Sequence, residues 1–349
     1  MSARTHFGPE AATAIDLSTR DMARASTHAE RIEIVGPQVA VPFGDLPLHP
    51  YRRGSRLSLL ATLWRLRPDV IVVQQEVTTA SLIARLGPPA RLAVHRRHTA
   101  KQPKPGLRRW WARRRFDRLD ALFFNSEFCR QDFHSVWPEV TVPTITVANG
   151  LDAADWVGRP PDQREGIIAF TGRAHPDKGA LPLARALVPL LARHAGWRAH
   201  FMLSRSADHP ETMLALRLAL APVAARVEIA LDQPHDAVRD LLSRAAIAVV
   251  PSIYAEPFGR AALEAMAAGA VTVSSMRGGL AEVVGNAGVA AEPEAGALER
   301  ALEDLIGDPA RRAWLSDASR ARAAERFSIA ATGAAFDVGV GLTMAGDMR

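Results

Sequence analysis

The feature that most constrains the fold is an alternation of short apolar runs with helical segments, which fills the second half of the chain. Four apolar runs, at 167–173, 198–205, 226–232 and 247–252, each precede a segment with helical character. The runs are continuously apolar rather than alternating, which is typical of strands covered by helices on both faces of a parallel sheet. The pattern predicts a doubly wound parallel α/β domain.

The first half of the chain repeats this pattern. Its apolar runs are RIEIVG (31–36), DVIVVQQ (69–75), RLAVHR (91–96), ALFFNS (121–126) and TITVANG (144–150). Since 349 residues suffice for two domains of roughly 150–180 residues that each bury a core, two tandem domains are predicted. A ligand site is expected in a cleft between the carboxyl ends of their strands.

The boundary between the domains is expected in 151–166, a polar segment that carries two adjacent prolines. The sequence 324–341 has the character of a last helix that returns to the first domain. The predicted domains are therefore 1–155, completed by a carboxy-terminal helix at 318–349, and 156–317.

The amino terminus departs from the α/β pattern. A doubly wound unit normally opens with a strand, a glycine-bearing turn and a helix, but no apolar run precedes Gly8. Either the first strand is missing from this chain, or residues 1–7 form a poor one.

Composition excludes several other classes of protein. No stretch approaches the ~18–20 apolar residues that cross a bilayer. The first thirty residues lack the apolar core of a secretory signal, so a cytoplasmic location is expected. The single cysteine, Cys129, excludes an internal disulfide framework and is interpreted as a small buried apolar residue.

The positive charge is concentrated in one segment. Residues 96–118 contain ten Lys or Arg and one Asp, a local charge of +9, so the rest of the chain carries about 6 − 9 = −3. This block also contains Trp110 and Trp111, a combination that suits an anionic membrane surface or a polyanionic acceptor. A solvated helix face is the simpler alternative, and nucleic-acid binding is not predicted because no recognised nucleic-acid module accompanies the block.

Two carboxylates stand in the segment YAEPFGRAALEAMAAG, residues 254–269. Glu256 precedes a proline and is expected in the loop after strand 247–252. Glu264 is expected about one turn inside a helix that begins near Gly259 or Arg260 and ends near Ala268. Burial of an unpaired carboxylate costs several kcal/mol, so Glu264 should have hydrogen-bond donors, such as the vicinal hydroxyls of a ribose.

Other groups are expected at the same edge of the second domain. Arg173 and Lys178 follow strand 167–173, and two such cations suit a diphosphate. Glycine turns allow the backbone to approach a ligand closely, and the backbone N–H groups at the start of a helix can donate to it. Both features are suited to binding anionic oxygens or sugar hydroxyls. These positions are Gly172, Gly278 and Gly279 for the turns and Phe258, Gly259 and Arg260 for the helix start.

Together these residues resemble the retaining GT-B glycosyltransferases, specifically the family 4 group, also called glycosyl transferases group 1. The hallmark of that group, two glutamates separated by seven residues in a pattern like P-S-x-x-E-P-F-G-x-x-x-L-E-A-M-A-x-G, resembles PSIYAEPFGRAALEAMAAG at 251–269. Further matches follow the family's order along most of the chain: Ser126, Glu127 and Arg130, then NGLD (149–152), GRAHPDKG (172–179) and RGGLAEVVGNAGV (277–289).

The resemblance implies an α/β GT-B fold, in which two Rossmann-like doubly wound parallel-sheet domains face across a cleft. It implies that the ribose of a nucleotide sugar is bound by Glu264, that the donor sugar is contacted by Glu256, and that the diphosphate is held by Arg173 and Lys178. The implied reaction transfers the sugar with retention to a glycan or lipid-linked acceptor, in envelope or polysaccharide biosynthesis, without a cofactor.

The resemblance also implies an active-site histidine at the end of a first-domain strand. His98 fits that position best and His95 second, and a structural role remains open for both. No metal is expected, because the chain contains no Asp-x-Asp motif. Gly8 stands where the family has a Gly-Gly turn near the donor phosphates and the acceptor.

Other functions remain open at this stage. The departure at the amino terminus leaves a catalytically silent GT-B-like subunit, which only binds a nucleotide or a partner, as the principal alternative. An epimerase on the same fold is a further alternative, since that chemistry also uses nucleotide sugars. If the protein is a glycosyltransferase, which is the leading hypothesis, the basic block is expected to attach it as a peripheral enzyme to the inner face of the plasma membrane.

Overall fold

A computed structural model describes residues 6–9, 13–102 and 106–345. Contacts divide the chain into two compact units. Unit 1 comprises residues up to Leu151 together with those from Ile329 onward, and unit 2 comprises Asp152–Ser328. The predicted divisions were at 155 and 318. The structure has two helices in the region where one helix from 318 was predicted, namely Pro309–Arg326 and Ile329–Ala345. The chain returns from unit 2 to unit 1 between these two helices.

Unit 1 is built from parallel strands with connecting helices. Its elements are α1 (Ala14–Ala25), β1 (Ile34–Pro37), β2 (Leu48–Tyr51), α2 (Arg56–Leu66), β3 (Val70–Gln74), α3 (Val77–Leu86), β4 (Arg91–Arg96), α4 (Leu107–Arg113), β5 (Ala121–Phe124), α5 (Glu127–Val136), β6 (Thr144–Thr146) and, at the end of the chain, α13 (Ile329–Ala345). In the described residues of unit 1, the strands form two separate sheets, β1-β2 and β3-β4-β5-β6. Every pairing within them is parallel.

Unit 2 contains one six-stranded parallel sheet with the order β12-β11-β10-β7-β8-β9. Its elements are β7 (Glu165–Arg173), α6 (Ala180–Arg193), β8 (Arg198–Ser204), α7 (Pro210–Leu220), β9 (Val227–Leu231), α8 (His235–Arg244), β10 (Ala245–Val250), α9 (Arg260–Ala267), β11 (Val271–Ser274), α10 (Gly279–Val284), β12 (Val289–Ala290), α11 (Ala295–Gly307) and α12 (Pro309–Arg326). All six residues of β10 are buried, as expected for a strand covered on both faces.

The apolar runs in both halves contain strands, so the predicted α/β class is confirmed. The strand β2 was not predicted, because its sequence LHPY contains a proline and only one strong strand former, Tyr51. At the amino terminus, His6 and Phe7 are not in a strand, and residues 1–5 lie outside the described residues.

Candidate functional site

The order of strands in unit 2 reverses between β7 and β10. These strands are neighbours, but the chain continues from β7 to one side of the sheet and from β10 to the other. Such a reversal leaves a crevice at the carboxyl ends of the two strands, where open α/β sheets bind ligands. Arg173 ends β7, and the segment 251–259 follows β10, so the sequence places its candidate residues at this switch point.

The turn after β7 packs directly against the turn after β10. Pro176–Lys178 forms a short 3₁₀ turn that ends at Gly179, whose φ is +76°. The N–H of Ile253 donates to the carbonyl of Asp177 at 2.7 Å. A Cβ at Gly179 would lie 2.0 Å from the carbonyl oxygen of Pro251, so only glycine allows this approach. This packing places Lys178 next to Glu256, the acid that follows β10.

Glu256 is the centre of a polar cluster, which we call the Glu256 cluster: buried Ser252 and Glu256 with half-buried Lys178 and Tyr254. Its carboxylate Oε1 accepts from Lys178 Nζ at 2.5 Å and from Ser252 Oγ at 2.6 Å. The other oxygen, Oε2, accepts from Tyr254 Oη at 2.6 Å. Lys178 Nζ also donates to Tyr254 Oη at 3.1 Å, which closes the network.

The network keeps Glu256 ionised although it is buried. Burial acts to raise its pKa, but attraction to Lys178 and the hydrogen bonds from Lys178, Ser252 and Tyr254 outweigh that effect, and the pKa lies below its ordinary value. Burial and the adjacent Glu256 charge raise the pKa of the Tyr254 phenol, while Arg173 acts in the opposite direction. The cluster therefore contains an anion, a cation and a neutral phenol at neutral pH.

Glu264 lies in α9, and its surroundings form a second cluster. Its Oε1 accepts from Arg260 Nε at 2.8 Å and faces His235 Nε2 at 3.0 Å. The ring of His235 packs edge-on against buried Trp156, with 5.5 Å between centroids. Both hydrogen bonds on the carboxylate thus end on one oxygen, and Oε2 has no partner among the described residues.

Glu264 is also ionised. Burial acts to raise its pKa, but hydrogen bonding and attraction from His235 and Arg260 lower it below its ordinary value. The expectation that this buried acid has hydrogen-bond donors is confirmed. The donors are protein side chains, and they leave one carboxylate oxygen for another donor.

The predicted bounds of the helix that carries Glu264 are confirmed. α9 follows Gly259 and is followed by Ala268 and Gly269, with φ values of +108° at Gly259 and +78° at Gly269. No side chain of the described ranges caps the start of this helix. The side chain of Phe258 is buried and packs against Phe327, so only its backbone is available to a ligand.

The glycines predicted to approach a ligand have different surroundings. A Cβ at Gly278 would lie 2.5 Å from the carbonyl oxygen of Glu256, and one at Gly279 would lie 2.7 Å from Phe258 Cα. These two glycines are required because their backbone packs against the segment after β10. At Gly172 a Cβ would meet only the Phe170 ring, at 3.7 Å, so packing does not require glycine there.

Three candidate residues belong to unit 1. His98 is half-buried, its Nδ1 lies 3.0 Å from the carbonyl oxygen of Thr99, and its pKa is lowered by burial and by Arg96. His95 is fully buried in β4 beside Arg97, and burial holds its pKa well below the ordinary value. A Cβ at Gly8 would lie 2.1 Å from the carbonyl oxygen of Val41, so packing alone explains that glycine.

Sequence reasoning missed three residues that hold the two acids. Ser252 and Tyr254 stand four and two residues before Glu256 in the same loop, and two polar side chains in an otherwise apolar segment were a usable signal. His235 reaches Glu264 from α8, 29 residues earlier in the chain. No local pattern indicates that contact.

In the structure, only part of the basic block 96–118 is exposed and unpaired with a carboxylate. Arg96 and Arg97 are buried. Arg109 pairs with Glu139 at 2.9 Å, and Arg113 lies 3.8 Å from Asp117. Among the described residues of the block, the cationic and large apolar side chains that remain exposed, which we call the α4 surface, are Lys101, Leu107, Arg108, Trp110, Trp111, Arg114, Arg115 and Arg118.

The described part of the chain contains neither a membrane-spanning helix nor a metal-binding group of side chains. Within residues 6–9, 13–102 and 106–345, no helix is both long and apolar enough to span a membrane. The same residues contain no group of three or more His, Cys, Asp or Glu arranged to hold a metal ion.

The fold defines a class of protein, the parallel α/β proteins of GT-B type, and the two acids lie at the carboxyl edge of the six-stranded sheet of unit 2. Family models agree. The model for glycosyl transferases group 1 matches residues 158–322, and that for glycosyltransferase family 4 matches residues 17–155. The chain belongs to this family of glycosyltransferases.

Characterised relatives are similar over part of their length. The chain is 29% identical over 250 residues to the alpha-maltose-1-phosphate synthase of Mycolicibacterium smegmatis, covering 63% of this chain and 62% of that protein. It is 34% identical over 203 residues to a glycogen synthase of Mycobacterium tuberculosis, covering 54% and 45%. The chain thus spans between about half and two thirds of these relatives.

Among solved structures, Anabaena HepE in complex with UDP and glucose has a TM-score of 0.78 to this chain. The sequence identity is 17%, and the match covers 97% of each chain. This similarity supports the GT-B fold.

Proposed function

We propose that this chain is a retaining, metal-independent glycosyltransferase that moves a sugar from a nucleotide-diphosphate donor to a glycan or lipid-linked acceptor in envelope or polysaccharide biosynthesis. The observation that carries the proposal is the pair of buried, ionised carboxylates, Glu256 and Glu264, at the switch point of unit 2. A donor of this kind suits both acids, because it carries two sugars joined by a diphosphate.

The nucleoside is assigned to Glu264. Its Oε1 is held by His235 and Arg260, so the carboxylate cannot rotate without loss of two hydrogen bonds. Its Oε2, which has no partner among the described residues, is the oxygen left for a ligand. Two vicinal ribose hydroxyls donate well to a carboxylate, and charge-assisted hydrogen bonds of this kind are the strong ones. Solved structures in the same fold, such as HepE, contain UDP.

The diphosphate is assigned to Arg173 and Lys178. Arg173 is exposed at the end of β7. Lys178 uses two of its three ammonium protons on Glu256 and Tyr254, which leaves one for a phosphate oxygen. The uncapped start of α9, near Gly259, adds backbone N–H groups that favour an anion.

The sugar is assigned to Glu256, which the network holds beside Lys178. In the proposed reaction the bond from the anomeric carbon to the β-phosphate oxygen breaks, and the acceptor oxygen bonds to the same face of that carbon. The acceptor proton passes to the departing phosphate. Arg173 and Lys178 stabilise the negative charge that develops on the leaving diphosphate, which is the interaction that strengthens in the transition state. His98 is proposed as a further residue for the donor sugar.

The acceptor is proposed to lie at a membrane surface on the cytoplasmic side, where the α4 surface docks as a peripheral element. Leu107, Trp110 and Trp111 are 75%, 41% and 54% exposed on one short helix and are surrounded by exposed arginines. Apolar and aromatic side chains among cations are the usual composition of an interfacial helix on anionic lipid.

Donor binding tests the assignment of Glu264. A panel of UDP-, GDP- and ADP-linked hexoses is titrated by calorimetry, and one donor is expected to bind. The substitution Glu264→Gln should weaken that binding by about tenfold or more, because it removes the charge that accepts the ribose hydroxyls. Glu211→Gln, at an exposed position in α7, is the matched control and should bind as the parent does.

Product analysis separates transfer from mere binding. Incubation of the parent with the donor and a membrane glycolipid extract should yield a new glycosidic bond with the anomeric configuration of the donor, assigned by proton NMR coupling. Donor binding without any turnover would instead support the catalytically silent subunit. Equal donor affinity of the parent and Glu264→Gln would contradict the proposed site.

A further inference from the structure

A second exposed surface of unit 1 combines arginines with large apolar side chains. Residues 52–67, which include all of α2, contain five arginines and no Asp or Glu. Leu57 is 80% exposed and Trp64 is 48% exposed, and in the neighbouring helix α3 Leu86 is 57% exposed. We call this set of exposed side chains the α2 surface: Arg52, Arg53, Arg56, Leu57, Trp64, Arg65, Arg67, Arg85 and Leu86.

The α2 surface carries a strong positive charge. Neither residues 52–67 nor α3 contain an acid, and α3 adds a further arginine. The acids that flank these segments have other partners. Asp69 lies 3.5 Å from Arg31, and Glu76 accepts from Thr79 Oγ1 at 2.7 Å. The charge of the α2 surface therefore suits an anionic partner.

The apolar side chains of the α2 surface can leave water at little cost. Trp64 Nε1 donates to the carbonyl of Leu86 at 2.9 Å, so the N–H group of the indole is satisfied inside the protein. Leu57 lies seven residues before Trp64, about two helical turns, and both side chains are on the outer face of α2. Leucine and tryptophan among arginines are the usual composition of a helix that lies in a lipid interface.

The helices α2, α3 and α4 cover the same face of the sheet β3-β4-β5-β6. Side chains of α2 and α3 pack with Val94 and Phe124 in one core cluster, and Ala112 of α4 packs against that cluster. The strand residues that alternate with these, Ala93 and Phe123, pack instead with α1 and α13 on the other face. One lipid surface can therefore contact the α2 surface and the α4 surface together.

Other partners fit the α2 surface less well. In a dimer with two-fold symmetry each surface meets its own copy, so arginines would face arginines. A nucleic acid would pair with the arginines through its phosphates, but it would give Leu57 no apolar partner. An anionic bilayer offers both kinds of contact, because its headgroups carry phosphates and its acyl chains receive leucine and tryptophan.

We propose that the α2 surface is a second membrane contact of unit 1, in which Leu57 and Trp64 enter the interface of an anionic bilayer while the surrounding arginines bind lipid phosphates. The proposal rests on the membrane docking in the proposed function, but on a separate set of side chains, and it does not require sugar transfer. With both contacts made, the layer of α2, α3 and α4 faces the lipid, and the layer of α1 and α13 faces away from it.

A fluorescent label at position 57 tests the proposal. The single cysteine of the chain, Cys129, is fully buried, so a thiol-reactive dye labels an introduced cysteine selectively. Leu57→Cys labelled with the environment-sensitive dye NBD should emit at shorter wavelength on vesicles that contain phosphatidylglycerol, and nitroxide lipids should quench it by about half or more. Leu218→Cys is the matched control, since Leu218 is 66% exposed on α7 of unit 2, and its label should stay in water.

Cosedimentation with the same vesicles gives a second readout. Leu57→Ser should weaken binding by about threefold or more, because it removes an apolar side chain from the interface. The double substitution Arg56→Gln with Arg65→Gln should weaken it by about tenfold or more, because two cations leave the anionic surface. Leu57→Ser combined with Trp111→Ala should lose the product of the two single effects, since the two contacts are separate.

The outcomes distinguish this proposal from docking through α4 and from sugar transfer. A label at position 57 that stays in water while the chain is bound to vesicles would overturn the second contact and leave the first intact. A label that responds to heparin but not to vesicles would overturn it in favour of a polyanionic partner. Binding to none of the vesicles would overturn both membrane contacts. Donor turnover is measured without vesicles and decides only the proposed reaction.

Discussion

At the scale of single residues, the two acids of the motif are held in different ways. Both oxygens of Glu256 are occupied, by Lys178, Ser252 and Tyr254. Within the part of the chain that the structure describes, only one oxygen of Glu264 is occupied, by His235 and Arg260. The difference supports different roles, with Glu264 prepared to accept new hydrogen bonds and Glu256 fixed as part of a charged network.

Tyr254→Phe tests the Glu256 network. The Tyr254 hydroxyl is among the groups that lower the pKa of Glu256, so its removal should raise that pKa. A carboxylate with a lowered pKa contributes stability above its ordinary pKa and loses that contribution as pH falls. The acid limb of donor turnover should therefore move to higher pH by about half a unit or more, with a loss of about 1 kcal/mol in unfolding free energy at pH 7.

The other tyrosine of the chain provides the control for this pH profile. Tyr51 lies in β2 of unit 1, so Tyr51→Phe should leave the acid limb where it is in the parent. If Tyr254→Phe and the parent share one acid limb, the hydroxyl has no part in keeping Glu256 ionised.

At the scale of elements, much of the site was predictable because local residues determine it. Pro257 and Gly259 determine where the loop after β10 ends and α9 begins, so both acids lie in the elements predicted for them. The contacts that decide the chemistry were not predictable. His235 contacts Glu264 from another helix. Gly278 and Gly279 are required because their backbone packs closely against the segment after β10, and no sequence pattern predicts that contact.

The packing of the two turns after β7 and β10 can be tested with two glycines, Gly179 in the turn after β7 and Gly172 near the end of β7 itself. Gly179→Ala places a Cβ against the carbonyl of Pro251 at a φ of +76°, and should cost about 2–4 kcal/mol in unfolding free energy. Gly172→Ala meets only the Phe170 ring and should change stability by less than about 1 kcal/mol. Urea unfolding followed by circular dichroism gives both values. Similar losses for the two variants would show that the approach of the turns is not what requires Gly179.

At the scale of the whole molecule, the sequence alone overestimates how much of the positive charge in the block 96–118 is exposed and unpaired. The block 96–118 has a net charge of +9 in the sequence, but Arg96 and Arg97 are buried and two other arginines face carboxylates. What remains is a compact surface in which cations surround exposed aromatic rings. The guanidinium of Arg114 lies 4.1 Å from the centre of the Trp110 ring, so charge and apolar area occupy the same place.

This arrangement predicts binding to anionic membranes through an electrostatic contribution and an apolar contribution, which can be measured separately. The full chain should cosediment with vesicles containing phosphatidylglycerol and much less with pure phosphatidylcholine vesicles, because each cation near an anionic surface contributes about 1 kcal/mol. Raising the salt from about 0.05 M to 0.5 M should weaken binding by about tenfold or more, since screening shortens the reach of surface charges.

The apolar component of membrane binding is tested by replacing one tryptophan. Trp111→Ala should weaken binding to the anionic vesicles by about tenfold even at low salt, because it removes the ring that enters the lipid interface. Trp314→Ala is the control, since Trp314 is 63% exposed on α12 in unit 2 and has no place in the α4 surface. Equal loss in both variants, or binding that ignores salt and lipid charge, would contradict docking through α4, because a specific surface must depend on the side chains that compose it.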